Sequence, residues 1–283
     1  MAVLGVQMMM LKDKVAEEGM WSILQRIAEM DLHAVEVSQI PMDEQNTADL
    51  ERGVRELGIE VGALSVALAP SPLSNGDNFV EHYDKIVADA KRLGCRFLRI
   101  GMMPFSAMTS KEACEAWAAE VEPWAKKLHD DEGITLCYHN HHVDLAQFDG
   151  ERIFDIVRRV APHLNFEVDL HWVQRGGMAP LDMLKEYSGV CKLIHVKDYR
   201  VGPLPEKAME LFQEGKIEEG YSMFVNIVEF AEVGQGNMNW PELLPASTAA
   251  GGEYLFIEQD MTYGRDPFEC LADSRAYLAS IGY

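Results

Sequence analysis

Titratable residues bunch at four places in this 283-residue chain, and each place closes a short apolar run. Tyr138-His139-Asn140-His141-His142, with Asp144, follows ITLC, and Asp169-Leu170-His171-Trp172 follows NFEV. His195-Val196-Lys197-Asp198 follows KLI, and Glu258-Gln259-Asp260 follows YLFI. Together they offer carboxylates, imidazoles and an ammonium group. Nitrogen and oxygen donors of this kind suit a divalent ion such as Mn²⁺, Zn²⁺, Co²⁺ or Fe²⁺. The carboxylate share leans toward Mn²⁺, and the lack of thiolate argues against a structural Cys-type zinc site. Each bunch alone has a plainer use: solvated imidazoles at 139, 141 and 142, a helix N-cap at Asp169, a surface position at Glu258, an exposed ion pair at Lys197 and Asp198. Their recurrence at consecutive run ends favours one shared site.

Something must bring these ends together. Eight short, nearly continuous apolar runs cross the chain: Leu4–Met10, Ala34–Ser38, Glu60–Ala67, Phe97–Gly101, Ile134–His139, Asn165–Asp169, Lys192–Lys197 and Tyr254–Glu258. Runs of this length and character are parallel strands buried on both faces. Amphipathic segments lie between them, with apolar residues three and four apart over Trp21–Met30, Thr47–Leu57, Phe79–Leu93, Lys111–Asp131 and Glu151–Val160. Pro267–Ser280 gives a last helix, and Gly58, Gly94 and Gly133 stop three of the others. Eight strand–helix units predict a single (β/α)₈ barrel over residues 1–283, close to the roughly 250 residues that fold needs. An open doubly wound sheet would carry a Gly-rich turn after its first strand, but Met8-Met9-Met10 stands there. A long excursion at about 198–253 interrupts the rhythm and predicts a cover over the catalytic face. In a barrel the strand ends converge on one face, and residues two apart share a side. His139 therefore faces the same way as His141, and His195 the same way as Lys197.

Composition limits the partners. Asp plus Glu number 46 against 25 Lys plus Arg, a formal charge of −21 that repels phosphate backbones and anionic lipid. Nucleic acid and membrane partners are not expected. Five widely spaced cysteines, mostly in apolar runs, read as reduced buried thiols of a cytoplasmic protein. No leader or bilayer-length apolar stretch is evident, and the excursion could equally cover a neighbouring subunit in a homo-oligomer.

YHNHHVD, VDLHWVQRGG, HVKDY, EVGQG-x₃-W and FIEQD, in this order, resemble the xylose isomerase-like sugar phosphate isomerase/epimerase family. GVQMMMLKD resembles that family's first strand, with Met9 and Met10 where a Tyr-Ser pair is usual. The resemblance runs from Gly5 to Asp260. It implies one divalent metal held by Asp169, His195, Glu258 and a fourth residue. Where the family usually has a glutamate, His139 stands here, with His141 two residues on. His139 is the expected fourth ligand, with His141 and then Asp144 as alternatives.

The chemistry expected is removal of a proton next to the carbonyl of a sugar or keto-sugar, giving an enediolate. The family's proton-shuttling epimerases use two glutamates. Only Glu258 is present here, so His141 or Lys197 is the expected second acid/base. Trp172 would wall the substrate and Gln7 would hydrogen-bond a hydroxyl. Relatives of this pattern also dehydrate or cleave oxidised sugars and inositols, so a lyase stays open. A phosphodiesterase of the AP-endonuclease kind would need a basic face, which −21 opposes. A non-catalytic sugar-binding subunit would have little use for the carboxylates.

Overall fold

A computed structural model describes residues 2–70 and 76–283. Eight parallel strands close a barrel: β1 (Val3–Gln7), β2 (Ala34–Val37), β3 (Glu60–Val66), β4 (Phe97–Ile100), β5 (Thr135–His139), β6 (Asn165–Asp169), β7 (Cys191–Val196) and β8 (Tyr254–Ile257). They pair in sequence order, and β1 closes the ring on β8 with Val3 opposite Tyr254 and Val6 opposite Ile257. The barrel is a single TIM-barrel domain, as the alternation of runs requires.

Helices ring the outside. Phe79–Leu93 and Pro267–Ser280 fall where the apolar spacing puts them. Apolar residues fill two layers, as the fold demands. A large shell lies between strands and helices, and a small one inside the barrel contains Ala34, Ala63, Phe97, Cys137, Leu193, Tyr254 and Phe256. Gly62 makes room for that inner layer, because a Cβ there would meet the Phe256 ring at 2.7 Å. All five cysteines are buried and unbridged.

Boundaries shift where local polar contacts compete with hydrophobic pattern. The first run does not continue as a strand to Met10. The chain turns at Gln7, whose side chain accepts the Met9 N–H, and Met8–Leu11 form a 3₁₀ turn. Glu151 joins a small hairpin with Gln147 and Phe148, so its helix starts at Ile153. The helix from Lys111 ends at Lys127 and gives way to a wider turn over Leu128–Glu132.

The excursion after β7 divides in two. Asp198–Val201 pairs antiparallel with Val228–Ala231, and between them stand the helices Glu206–Gln213 and Ile217–Val225. Trp240–Ala250 is then the outer helix that leads back to β8, so the true insertion is shorter than 198–253. Asp198 staples its base. One carboxylate oxygen accepts from the Tyr199 and Met238 N–H groups, and the other from Gly234 N–H and the Trp240 indole. The EVGQG-x₃-W segment is thus bound to Asp198, which is buried and forms no ion pair with Lys197.

Candidate metal centre

At the C-terminal mouth of the barrel, His139 from β5, Asp169 from β6, His195 from β7 and Glu258 just past β8 bring one ligand atom each within 4.8 Å of one another. All four side chains are buried. Each of the four stands at or beside the C-terminal end of its strand, where the backbone leaves the apolar interior.

The two imidazoles are oriented by their outer nitrogens. His139 Nδ1 lies 3.1 Å from the Gly101 carbonyl, which can only accept, so that nitrogen carries the proton. Its Nε2 faces inward, 3.5 Å from Asp169 Oδ2, with no hydrogen-bond partner. His195 Nε2 donates to Glu36 Oε2 at 3.0 Å, and its Nδ1 faces inward without a hydrogen bond, 2.8 Å from Glu258 Oε2. Asp169 serves two ends. Oδ1 caps the helix Leu170–Arg175 by accepting the Trp172 N–H, while buried Oδ2 has no donor. A buried donor set of bare nitrogens and a bare carboxylate oxygen, aimed at one point, fits a divalent cation. It combines two imidazoles and two carboxylates, with no sulfur.

Lys197, fully buried, lies 3.0 Å from Glu258, 3.4 Å from Asp169 and 2.8 Å from Asp260. Burial opposes its charge, but these carboxylates outweigh it and hold its pKa above the ordinary lysine value. His195 is likewise opposed by burial and pushed above its usual range by Glu167, Glu258 and Glu36, so a cation binding at Nδ1 would displace a proton. His141 behaves oppositely: burial, then His139 and Lys197, push it down to about 2, so it is neutral at working pH with Nδ1 bare. Its ring stands 4.8 Å from that of His139 and 5.7 Å from Trp172.

Gln7 is engaged with the cluster itself, its Nε2 donating to Glu258 Oε1 at 3.0 Å. Asp144 is turned away, accepting from His141 N–H and Tyr138 O–H. His142 is exposed and lies against Trp172. Trp172 sits beneath the Lys197 ammonium at 4.9 Å, and Phe230 from the inserted hairpin approaches it at 5.5 Å. Sequence pattern did not single out Phe230, Glu36 or Glu167 for the site. Glu36 and Glu167 had a signal, being charged residues in the middle of apolar strands. Phe230 had none.

The family model for xylose isomerase-like TIM barrels matches residues 24–266. The chain belongs to the xylose isomerase-like TIM barrel family. No curated protein matches the sequence. Among solved structures, a sugar phosphate isomerase/epimerase from Parabacteroides distasonis is 19% identical with a TM-score of 0.73, over 99% of this chain and 98% of that one. A 3-keto-D-glucoside 4-epimerase from E. coli is 14% identical with a TM-score of 0.67, over 99% and 100%. A probable 3-DHS dehydratase from Bacillus anthracis is 14% identical with a TM-score of 0.70, over 99% of both chains. At these identities the likeness is one of fold. In this xylose isomerase-like barrel the residue that β5 brings to the cluster is a histidine, His139. Among the described residues, no helix is long and apolar enough to cross a membrane.

Proposed function

We propose that the chain is a divalent-metal-dependent isomerase or epimerase of a sugar or keto-sugar, acting by proton removal next to a carbonyl. The observation that carries this is the convergence of His139, Asp169, His195 and Glu258, with the inward atoms of the first three bare, beside a buried lysine and a neutral histidine. The four residues would hold the cation, manganese first and zinc, cobalt or iron as alternatives. When bound it supplies Lewis acidity toward the carbonyl and the neighbouring hydroxyl oxygen.

The chain's own groups do the rest. Glu258, fixed by Gln7 on one oxygen and beside Lys197 on the other, takes the proton α to the carbonyl. Lys197 returns a proton as the second acid/base, the part that the family's other glutamate plays elsewhere, while His141, too weakly basic to take one, offers its neutral ring to the substrate. Lys197 stabilises the oxyanion that forms, because its charge lies in a water-poor pocket where it needs no reorganisation. Trp172 offers a flat wall to the C–H face of the sugar. The substrate is a small carbohydrate, and a cytoplasmic location and homo-oligomeric assembly remain part of this reading.

A dehydratase or lyase of an oxidised sugar or inositol is the second reading. It is favoured by unlike partners around the site: a carboxylate base and a cationic acid suit elimination, in which a proton and a hydroxyl leave together.

Metal content separates these readings from a binding protein. Protein purified without chelator should carry about one equivalent of Mn, Co, Fe or Zn, with Asp169→Ala losing it. Keto-sugars screened in D₂O should then gain deuterium at the epimerised or isomerised carbon, whereas a lyase would yield an unsaturated product. Protein that stays metal-free after reconstitution overturns the proposal.

A further inference from the structure

Beneath the four donors lies a second buried layer of charge, built largely on strands that contribute no donor. Glu36 from β2 and Glu167 from β6 flank the outer edge of the His195 ring, and Arg99 from β4 bridges the two carboxylates. Glu167 lies two residues before Asp169 on the same strand, so it faces the same interior one layer deeper. Its oxygens lie 3.2 Å from His195 Nε2 and 3.2 Å from Arg99 Nε. Glu36 takes the His195 Nε2–H at 3.0 Å and Arg99 at 2.6 Å. Glu36 and Glu167 are fully buried, and Arg99 is nearly so.

The other imidazole is tied to the same layer. The Gly101 carbonyl that accepts from His139 Nδ1 follows Arg99 by two residues. Gly101 needs its missing side chain here, because a Cβ would meet Arg99 Nη1 at 2.5 Å. One guanidinium therefore packs against the residue that orients His139 and bonds the carboxylate that orients His195.

We propose that Glu36, Glu167, Arg99 and Gly101 are positioning residues that fix the tautomer and ring angle of both histidines, presenting His195 by Nδ1 and His139 by Nε2. Burying three ionisable side chains this way is a poor route to stability, since apolar residues of similar volume often serve as well or better. What the layer adds is direction: a carboxylate on the far nitrogen holds a ligating ring in place and raises its basicity. This rests on the metal centre proposed above.

The test is Mn²⁺ titration of chelator-stripped protein, with Co²⁺ visible spectra and thermal melts of the metal-free forms. Glu36→Gln keeps the shape and an acceptor but loses the charge. It should weaken Mn²⁺ binding about 10- to 100-fold and shift the Co²⁺ bands, as loss of an outer-layer partner does elsewhere. Glu167→Gln should change the Co²⁺ bands in the same sense. Should Glu36→Gln fail to fold with Arg99 left to Glu167 alone, Glu36→Gln/Arg99→Met removes both charges and is read in the same way. A folded variant with wild-type affinity and spectrum overturns the positioning role while leaving the metal centre standing. Wild-type protein that binds neither ion overturns both.

Discussion

Gln7 Nε2 donates to Glu258 Oε1 over 3.0 Å, joining residues 251 apart in sequence where the first and last strands close the barrel. The same side chain accepts the Met9 N–H, so Gln7 is held at both ends. This fixes one oxygen of Glu258 and leaves Oε2 toward His195 and Lys197. Gln7→Ala should weaken metal binding by about 10-fold through a looser ligand. It should also lower stability by about 1–2 kcal/mol for the lost buried hydrogen bonds. Metal titration and a denaturant melt read the two effects separately; unchanged affinity would show that Glu258 needs no such support.

Glu258→Gln removes a donor charge and the proposed base while keeping the Gln7 contact available. Turnover on any substrate the wild type accepts should be abolished with the fold intact by circular dichroism. Full activity in the variant would sink the assignment.

Lys197→Met separates chemistry from charge balance. The ammonium lies within 3.4 Å of two proposed ligands, so it competes with a cation for their charge. The variant should lose about 10²- to 10⁴-fold in kcat, the range for a lost acid/base group, while binding metal at least as tightly as wild type. Weaker metal binding would mean that Lys197 organises the carboxylates rather than opposing the ion.

Much of this was legible in the sequence because burial on both faces keeps polar groups sparse along the strands and conspicuous at their ends. His139, Asp169, His195 and Glu258 all stand there. Helix and strand existence followed from periodicity, and the failures were local. The Met8-Met9-Met10 run is apolar enough for a strand, yet a side-chain cap from Gln7 turns it. Asp198 looked like a partner for its neighbour Lys197, but adjacent residues point to opposite faces, and its four donors come from 1 to 42 residues downstream. The charges in β2 and β6 were visible, but nothing in sequence says that Glu36 meets His195, 159 residues away. Phe230 arrives on a hairpin whose pairing no local pattern specifies.

Asp198 predicts a structural phenotype at a distance from the chemistry. Gly236 lies against it so closely that a Cβ would sit 2.1 Å from its Oδ1 and 2.3 Å from the Tyr199 carbonyl. Gly236→Ala and Asp198→Ala should each destabilise the insertion, with Asp198→Ala costing about 3 kcal/mol or more because it leaves buried donors unpaired. Limited proteolysis should cut first between residues 201 and 228. Equal protease resistance in wild type and variants would rule out the staple.

Asp144 gives the pH dependence. Burial raises its carboxyl from 3.8 to about 7, outweighing hydrogen bonds from the His141 backbone and the Tyr138 hydroxyl. Among the described residues no cation pairs with it, so nothing offsets the desolvation of its charge. The folded state therefore holds this proton more tightly than the unfolded chain. The stability it contributes is fully present below about pH 4 and is lost as pH rises through about 7. Asp144→Asn cannot titrate. Its Tm relative to wild type should improve steadily between about pH 5 and pH 8, since only wild type then buries a charge. A Tm difference that stays flat, or moves the other way, would mean that the two hydrogen bonds rather than burial govern this carboxyl.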